Sequence, residues 1–251
     1  MQQIQNFNIT DESTCTFVKN SVSSIKLNNE LITETNYIKE IGDILETSPP
    51  KCFYEWANLF PCLQVFLDNI EMIRSEVQNV PKWIPWPEDH YGKADNYEWT
   101  VFPFLHTFPA MDTTKMTWIG STNELCPGIS TLLKGVPNVR TALLSKLGPG
   151  THLEFHMGWE DLANHVLRCH IPIHIPLVGP SGLTVKEETK HYKDMEIIVF
   201  DDSLVHMAFN SCLDEHRIVL IIDIMRPPHI SKGTVKGGHT KELNDLLLMF
   251  K

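Results

Sequence analysis

A chain of 251 residues, 42% hydrophobic and 21% charged, can bury a full core in one domain and is too apolar to be disordered. A formal net charge of −10 excludes a basic nucleic-acid-binding face, so no nucleic-acid partner is expected. No apolar run of about 18 residues offers a bilayer span, so no membrane partner is expected either.

The N-terminus, MQQIQNFNITDEST, is polar and carries no signal-peptide core. The six cysteines (Cys15, Cys52, Cys62, Cys126, Cys169, Cys212) show no CxxC or zinc-ribbon spacing and read as free, mostly buried thiols. Together these features predict a cytoplasmic protein. Sixteen prolines against thirteen glycines favour short strands and turns over a helical bundle.

Residues 1–60 read as an accessory segment. Thr10-Asp11-Glu12-Ser13 caps a predicted helix towards Asn20, a second is predicted over 33–45, and Pro49-Pro50 breaks the chain. From Pro61, the apolar positions Leu63, Phe66, Leu67, Ile70, Ile73 and Val77 recur at three- and four-residue spacing, which predicts an amphipathic scaffold helix. Residues 81–95 form an aromatic loop. Trp99–Phe102 and Met116–Ile119 read as strands, and Cys126-Pro127 opens a short helix ending near Gly135.

The β-rich half follows. Arg140–Leu147 and Thr151–His156 are predicted strands on either side of the Gly148-Pro149-Gly150 turn. Over 165–176, Ile171, Ile173 and Ile175 share one face of a strand, and Arg168, His170 and His174 share the other. Pro172 and Pro176 predict an edge position or a bulge there. Glu196–Phe200 and Arg217–Met225 are further apolar strands. The barrel domain is thus expected over 61–230, and residues 231–251 form a linker and a short helix packing on it.

Two histidines fifty positions apart, His156 and His206, stand in this β-rich frame with arginines near each. Imidazole suits Fe(II), and non-haem iron sites pair two histidines with a carboxylate. Gly158 stands where a His-x-Asp motif would carry the acid. His152, Glu154 and His156 form a rival ligand set, disfavoured because alternate side chains on one strand run nearly parallel. Arg217 heads the apolar run IVLIIDI, where an unpaired guanidinium is costly; its partner is an anion or else Asp214 or Glu215. Asp201 or Asp202 orients an imidazole, or Asp201 makes an Asx-type turn.

The segments PGTHLEFHMG (149–158), LRCHIPIHIP (167–176), FDDSLVH (200–206) and RIVLIIDIMRP (217–227) resemble, in this order and spacing, the aspartyl/asparaginyl β-hydroxylase family of Fe(II)/2-oxoglutarate-dependent oxygenases. The resemblance implies a mainly β, double-stranded β-helix (jelly-roll, cupin-like) barrel with flanking helices. It implies a metal held by His156 and His206 alone, with a glycine at the carboxylate position. It places the distal carboxylate of 2-oxoglutarate on Arg217 and Ser145, and the metal-bound end near Arg168 and His170. The implied activity is hydroxylation of an unactivated carbon in a small-molecule or peptide substrate, consuming O₂.

Two departures concern the substrate: extra residues within WEDLANHV (159–166), and Val166 where members acting on acidic substrates carry arginine. Two other readings stay open: a cupin-like metal-dependent isomerase or hydrolase, and a catalytically inactive metal-binding relative.

Overall fold

The long strand Arg217–Met225 in the β-rich half is apolar on both faces, which calls for a sheet covered on both sides. The computed structural model describes residues 25–27, 30–32, 51–88 and 98–248. The helices expected near 10–20 and over 33–45 lie outside the described residues. The chain divides into two compact units, Met1–Ser48 and Pro49–Lys251. In the first, β1 (Ile25–Leu27) and β2 (Glu30–Ile32) pair antiparallel.

In the second unit the strands are β3 (Phe53–Tyr54), β4 (Ile84–Pro85), β5 (Trp99–His106), β6 (Thr117–Trp118), β7 (Val139–Leu147), β8 (Val166–His174), β9 (Ser181–Val185), β10 (Glu188–His191), β11 (Ile198–Phe200), β12 (His206–Asn210) and β13 (Arg217–Met225). An eight-stranded antiparallel sheet runs β3-β11-β8-β13-β7-β5-β4, with β6 on β5, and a three-stranded sheet runs β10-β9-β12. Residues from Phe53, expected in the accessory segment, are already a strand of the large sheet.

Among the described residues of this unit, seven helices flank its sheets: α1 (Trp56–Leu59), α2 (Gln64–Asp68), α3 (Ile70–Gln78), α4 (Gly120–Leu125), α5 (Pro127–Lys134), α6 (Glu160–Ala163) and α7 (Lys241–Leu248). The predicted scaffold helix buries all six of its apolar positions. It is broken at Asn69, so two shorter helices follow a 3₁₀ turn at Pro61–Leu63.

Leu220, Ile222 and Ile224 of β13, with Leu167, Cys169, Ile171 and Ile173 of β8, pack outward against this scaffold. Val219 and Ile221 point the other way, into a second core shared with Leu183, Val185 and Ala208 of the small sheet. Two antiparallel sheets facing each other across that core make the double-stranded β-helix. A sheet covered on both faces explains why β13 reads as an unbroken apolar run.

Pro172 is accommodated by a bulge opposite Ile218/Val219, with β8 inside the sheet and not at its edge. Thr151–His156 is not a continuous strand. Its backbone pairs with the small sheet at two isolated bridges, His152 to Phe209 and His156 to His206. The five described cysteines are free thiols, and all but Cys62 are buried. No described helix is long and apolar enough to cross a membrane.

Candidate active site

The second of those bridges sets His156 against His206. Their backbones exchange hydrogen bonds of 2.9 and 2.8 Å, and their ring centroids stand 4.3 Å apart. Each ring Nδ1 lies 2.7 Å from a carbonyl two residues earlier, Glu154 for His156 and Leu204 for His206. A carbonyl only accepts, so Nδ1 carries the proton in both rings and the lone pair sits on Nε2. This is the tautomer a metal ligand needs. Burial holds the His206 pKa well below its ordinary value, with His156 beside it adding to the effect. The His206 ring is thereby held neutral, with its Nε2 lone pair free of a proton.

Asp202 lies in the turn before β12, fully buried, with a carboxylate oxygen 3.4 Å from His206 Nε2. Burial pushes its pKa up to about 7, while Arg168 pulls the other way. Arg168 Nη1 approaches Asp202 to 2.6 Å, yet neither Asp202 oxygen accepts a hydrogen bond of good geometry. A Cβ placed on Gly158 would lie 2.0 Å from Asp202 Oδ2 and 2.7 Å from the Ala163 Cβ. The glycine at the carboxylate position is therefore a steric requirement of Asp202, which fills the space a side chain at 158 would need.

The rest of the Arg168 guanidinium is bound to Asp223, Nε to Oδ1 at 2.8 Å and Nη2 to Oδ2 at 2.9 Å. Register explains the pairing, since Asp223 lies directly across from Arg168 on β13. Thr141 Oγ1 donates to the same Asp223 carboxylate. Arg168 thus lines the site with its fork engaged, as a clamp that holds Asp202 beside His206. Asp201 takes the turn role instead: its Oδ1 accepts from the Ser203 amide at 3.0 Å and hydroxyl at 2.6 Å, and it pairs with Arg226.

Arg217 is 1% exposed, and its Nε and Nη1 have no hydrogen-bond partner among the described residues. Asp214 and Glu215 do not serve it; Glu215 pairs with His174 at 3.0 Å. The Tyr192 ring lies 5.2 Å from the guanidinium carbon. Burial lowers the Arg217 pKa, with Tyr192 opposing the shift. Such a group needs an anion.

Ser145, His170, His156 and His206 line the same cavity as Arg217. Ser145 Oγ accepts from Trp99 Nε1 at 3.0 Å, and His170 Nδ1 lies 2.7 Å from the Tyr192 hydroxyl. His170 Nε2 has no hydrogen-bond partner among the described residues, and burial holds its pKa well below the ordinary value. The rival set is not assembled: His152 stacks on Phe209 at 5.7 Å, and Glu154 is exposed. Among the described residues no group of three or more His, Cys, Asp or Glu is arranged to hold a metal ion.

A second cavity, about 80 Å³, meets the site at His156, Gly158 and Arg168 and is otherwise lined mostly by aromatic and aliphatic side chains, with His106 and Thr141 among them. The sequence motifs give no sign of it, because its walls come from β5, β7, α6 and α7 together.

A family model described as aspartyl/asparaginyl beta-hydroxylase matches residues 67–227. The chain is 31% identical over 169 residues to the ornithine lipid ester-linked acyl 2-hydroxylase of Rhizobium tropici, covering 67% of this chain and 55% of that protein. It is 32% identical over 88 residues to the human aspartate beta-hydroxylase domain-containing protein 2, covering 34% of this chain and 22% of that protein. The chain therefore spans about half the length of the first relative and about a fifth of the second. Among solved structures, an oxidoreductase of the 2OG-Fe(II) oxygenase family from Burkholderia pseudomallei overlaps 65% of this chain and 82% of its own, with 9% identity and a TM-score of 0.44.

Proposed function

The chain belongs to the aspartyl/asparaginyl β-hydroxylase family, and from that premise we propose that it is an Fe(II)- and 2-oxoglutarate-dependent dioxygenase hydroxylating an unactivated carbon of an amino-acid or peptidyl substrate. The observation that carries the reading is Arg217, a fully buried guanidinium with two unpartnered nitrogens in the cavity that His156 and His206 also line. A dicarboxylate spanning from Arg217 to a metal on the two histidines meets both needs.

The residues fit the metal through their chemistry: two imidazoles with Nδ1 protonated and Nε2 facing a shared space. When bound, the iron would activate O₂, the oxidant, for R–H + 2-oxoglutarate + O₂ → R–OH + succinate + CO₂. Arg217 and Ser145 hold the distal carboxylate, and the Tyr192 ring steadies the guanidinium. His170 lies at the metal-bound end beside Arg168, which acts through Asp202 by keeping that carboxylate against His206. The two packed sheets keep the site dry, which strengthens the arginine–carboxylate contact.

Anaerobic Fe(II) titration followed by admission of O₂ tests the reading: succinate should form from 2-oxoglutarate, and His156→Ala or His206→Ala should abolish it. Metal binding without succinate would leave the chain an inactive metal-binding relative. Turnover of a candidate substrate with no need for 2-oxoglutarate would favour the isomerase or hydrolase.

A further inference from the structure

His170 can serve the site in two opposite ways, and the place of its proton decides between them. With the proton on Nε2 the ring donates to an anion. With it on Nδ1 the Nε2 lone pair is open to a metal. Burial holds the His170 pKa well below its ordinary value, with Arg217 and Arg168 adding to the effect, so the ring carries one N–H and not two. Its Nε2 has no hydrogen-bond partner among the described residues, and the ring lines the cavity shared by His156, His206 and Arg217.

The other nitrogen settles the matter. Nδ1 lies 2.7 Å from the Tyr192 hydroxyl, the one side-chain hydrogen bond of either residue among those described. A phenol both donates and accepts, so the pair alone allows either direction. Its surroundings allow one. Tyr192 is 5% exposed, in the core that also holds Leu183, Val185 and Phe200. It is not among the residues lining the cavity, so its hydroxyl has no ligand to turn to. Were Nδ1–H the donor, the hydroxyl hydrogen would be buried with no acceptor, which is the costlier arrangement. With the hydroxyl as donor, the one unbonded hydrogen of the pair is Nε2–H of His170, inside the cavity.

Local structure holds the two rings in register. Tyr192 directly follows β10, and its amide donates to the Ser181 carbonyl at 2.9 Å. Its ring stacks on His170 at 5.9 Å and 22°, and Phe200 meets the same imidazole edge-on at 5.1 Å. His156 and His206 are the contrast, since their Nδ1 atoms face carbonyls that only accept. A carbonyl at Nδ1 leaves a lone pair on Nε2, and a phenol at Nδ1 leaves a proton there.

We propose that Tyr192 is a positioning residue: its hydroxyl donates to His170 Nδ1, which makes His170 an Nε2–H donor to the co-substrate carboxylate and bars it from becoming a third metal ligand. The proposal rests on the hydroxylase reading for the identity of the anion. The same phenol ring lies 5.2 Å from the Arg217 guanidinium carbon, so one side chain supports both anion-binding groups.

Histidine ring-nitrogen NMR of the full, metal-free chain reads the tautomers directly, with each ring assigned by through-bond correlation. His156 and His206 should carry the proton on Nδ1, and His170 should carry it on Nε2. Zn(II), a diamagnetic stand-in for Fe(II), should shift Nε2 of His156 and His206 and leave His170 protonated at Nε2. Tyr192→Phe keeps the ring over Arg217 and removes the hydroxyl alone. It should mix the two His170 tautomers and weaken 2-oxoglutarate binding to the Mn(II)-loaded chain roughly fivefold by calorimetry. In a His170→Leu background the same change should cost no further affinity. Thermal melting confirms that each variant folds, and the wild-type spectra carry the test where one does not.

A proton on His170 Nδ1 in the metal-free chain, or a His170 Nε2 that takes up Zn(II), overturns the proposal. So does a His170 that stays wholly Nε2-protonated in Tyr192→Phe. An equal loss of 2-oxoglutarate affinity in both backgrounds also overturns it and makes Tyr192 a packing residue. Tautomers as stated, with no 2-oxoglutarate binding to the wild-type chain, would remove the hydroxylase reading and leave the Tyr192 lock on His170 standing.

Discussion

Arg217 is a buried charge that works against stability until an anion meets it. An unpaired guanidinium in the core costs several kcal/mol, offset here only in part by the Tyr192 ring. Arg217→Met is therefore expected to leave the ligand-free protein as stable as before or more stable, by up to about 1–3 kcal/mol. The same variant should lose the rise in melting temperature that 2-oxoglutarate gives, worth about 2.7 kcal/mol at a hundredfold excess over the dissociation constant. A loss of stability with the ligand shift retained would make Arg217 a structural residue. Gly158 carries the second residue-scale expectation. Gly158→Asp should not rebuild a three-ligand site, because its Cβ would fall 2.0 Å from Asp202 Oδ2. A destabilisation of about 1–3 kcal/mol and weaker Fe(II) binding are expected, read by melting and anaerobic titration. The histidines and Arg217 were legible from their motifs. The engagement of Arg168 by Asp223 was not, since those residues lie 55 positions apart and meet only through the β8–β13 register.

At the scale of elements, hydrophobic periodicity was a sound guide wherever one face meets the core, as at Leu63, Phe66 and Ile73. It failed where hydrogen bonding alone defines the element. The β9–β10 hairpin was missed because β10, Glu188–His191, is polar and largely exposed. Thr151–His156 alternates like a strand, but only two of its residues bridge to the small sheet. The tail was legible as a helix packing on the barrel, yet what seats it was not, because those residues come from the 159–166 segment. Asn164→Ala removes both side-chain hydrogen bonds to Val235. A cost of about 1–3 kcal/mol is expected, and it should be local. Amide exchange should speed up across 235–248 while β7 and β13 stay protected. Unchanged exchange in the tail would show that α7 is held by its leucines alone.

For the whole molecule, the candidate-site residues among those described come from a single unit. Arg217, the two histidines, Asp202 and the α7 roof all lie within Pro49–Lys251. The β-helix was legible as a class because strands such as β7 and β13 carry residues for two cores at once, outward for the scaffold helices and inward for the small sheet. The lower boundary was not legible: Phe53–Tyr54 is too short to register as a strand and earns that role only by pairing with β11. A unit with its own core and its full complement of site residues should fold alone. A chain beginning at Pro49 is expected to melt in one cooperative transition and to keep the 2-oxoglutarate-dependent rise in melting temperature. Because β3 closes the β11 edge of the large sheet, a chain beginning at Pro61 should lose that cooperativity or aggregate through the exposed edge. Equal melting of the two shortened chains would show that β3 is dispensable and that the barrel unit starts at the scaffold helices.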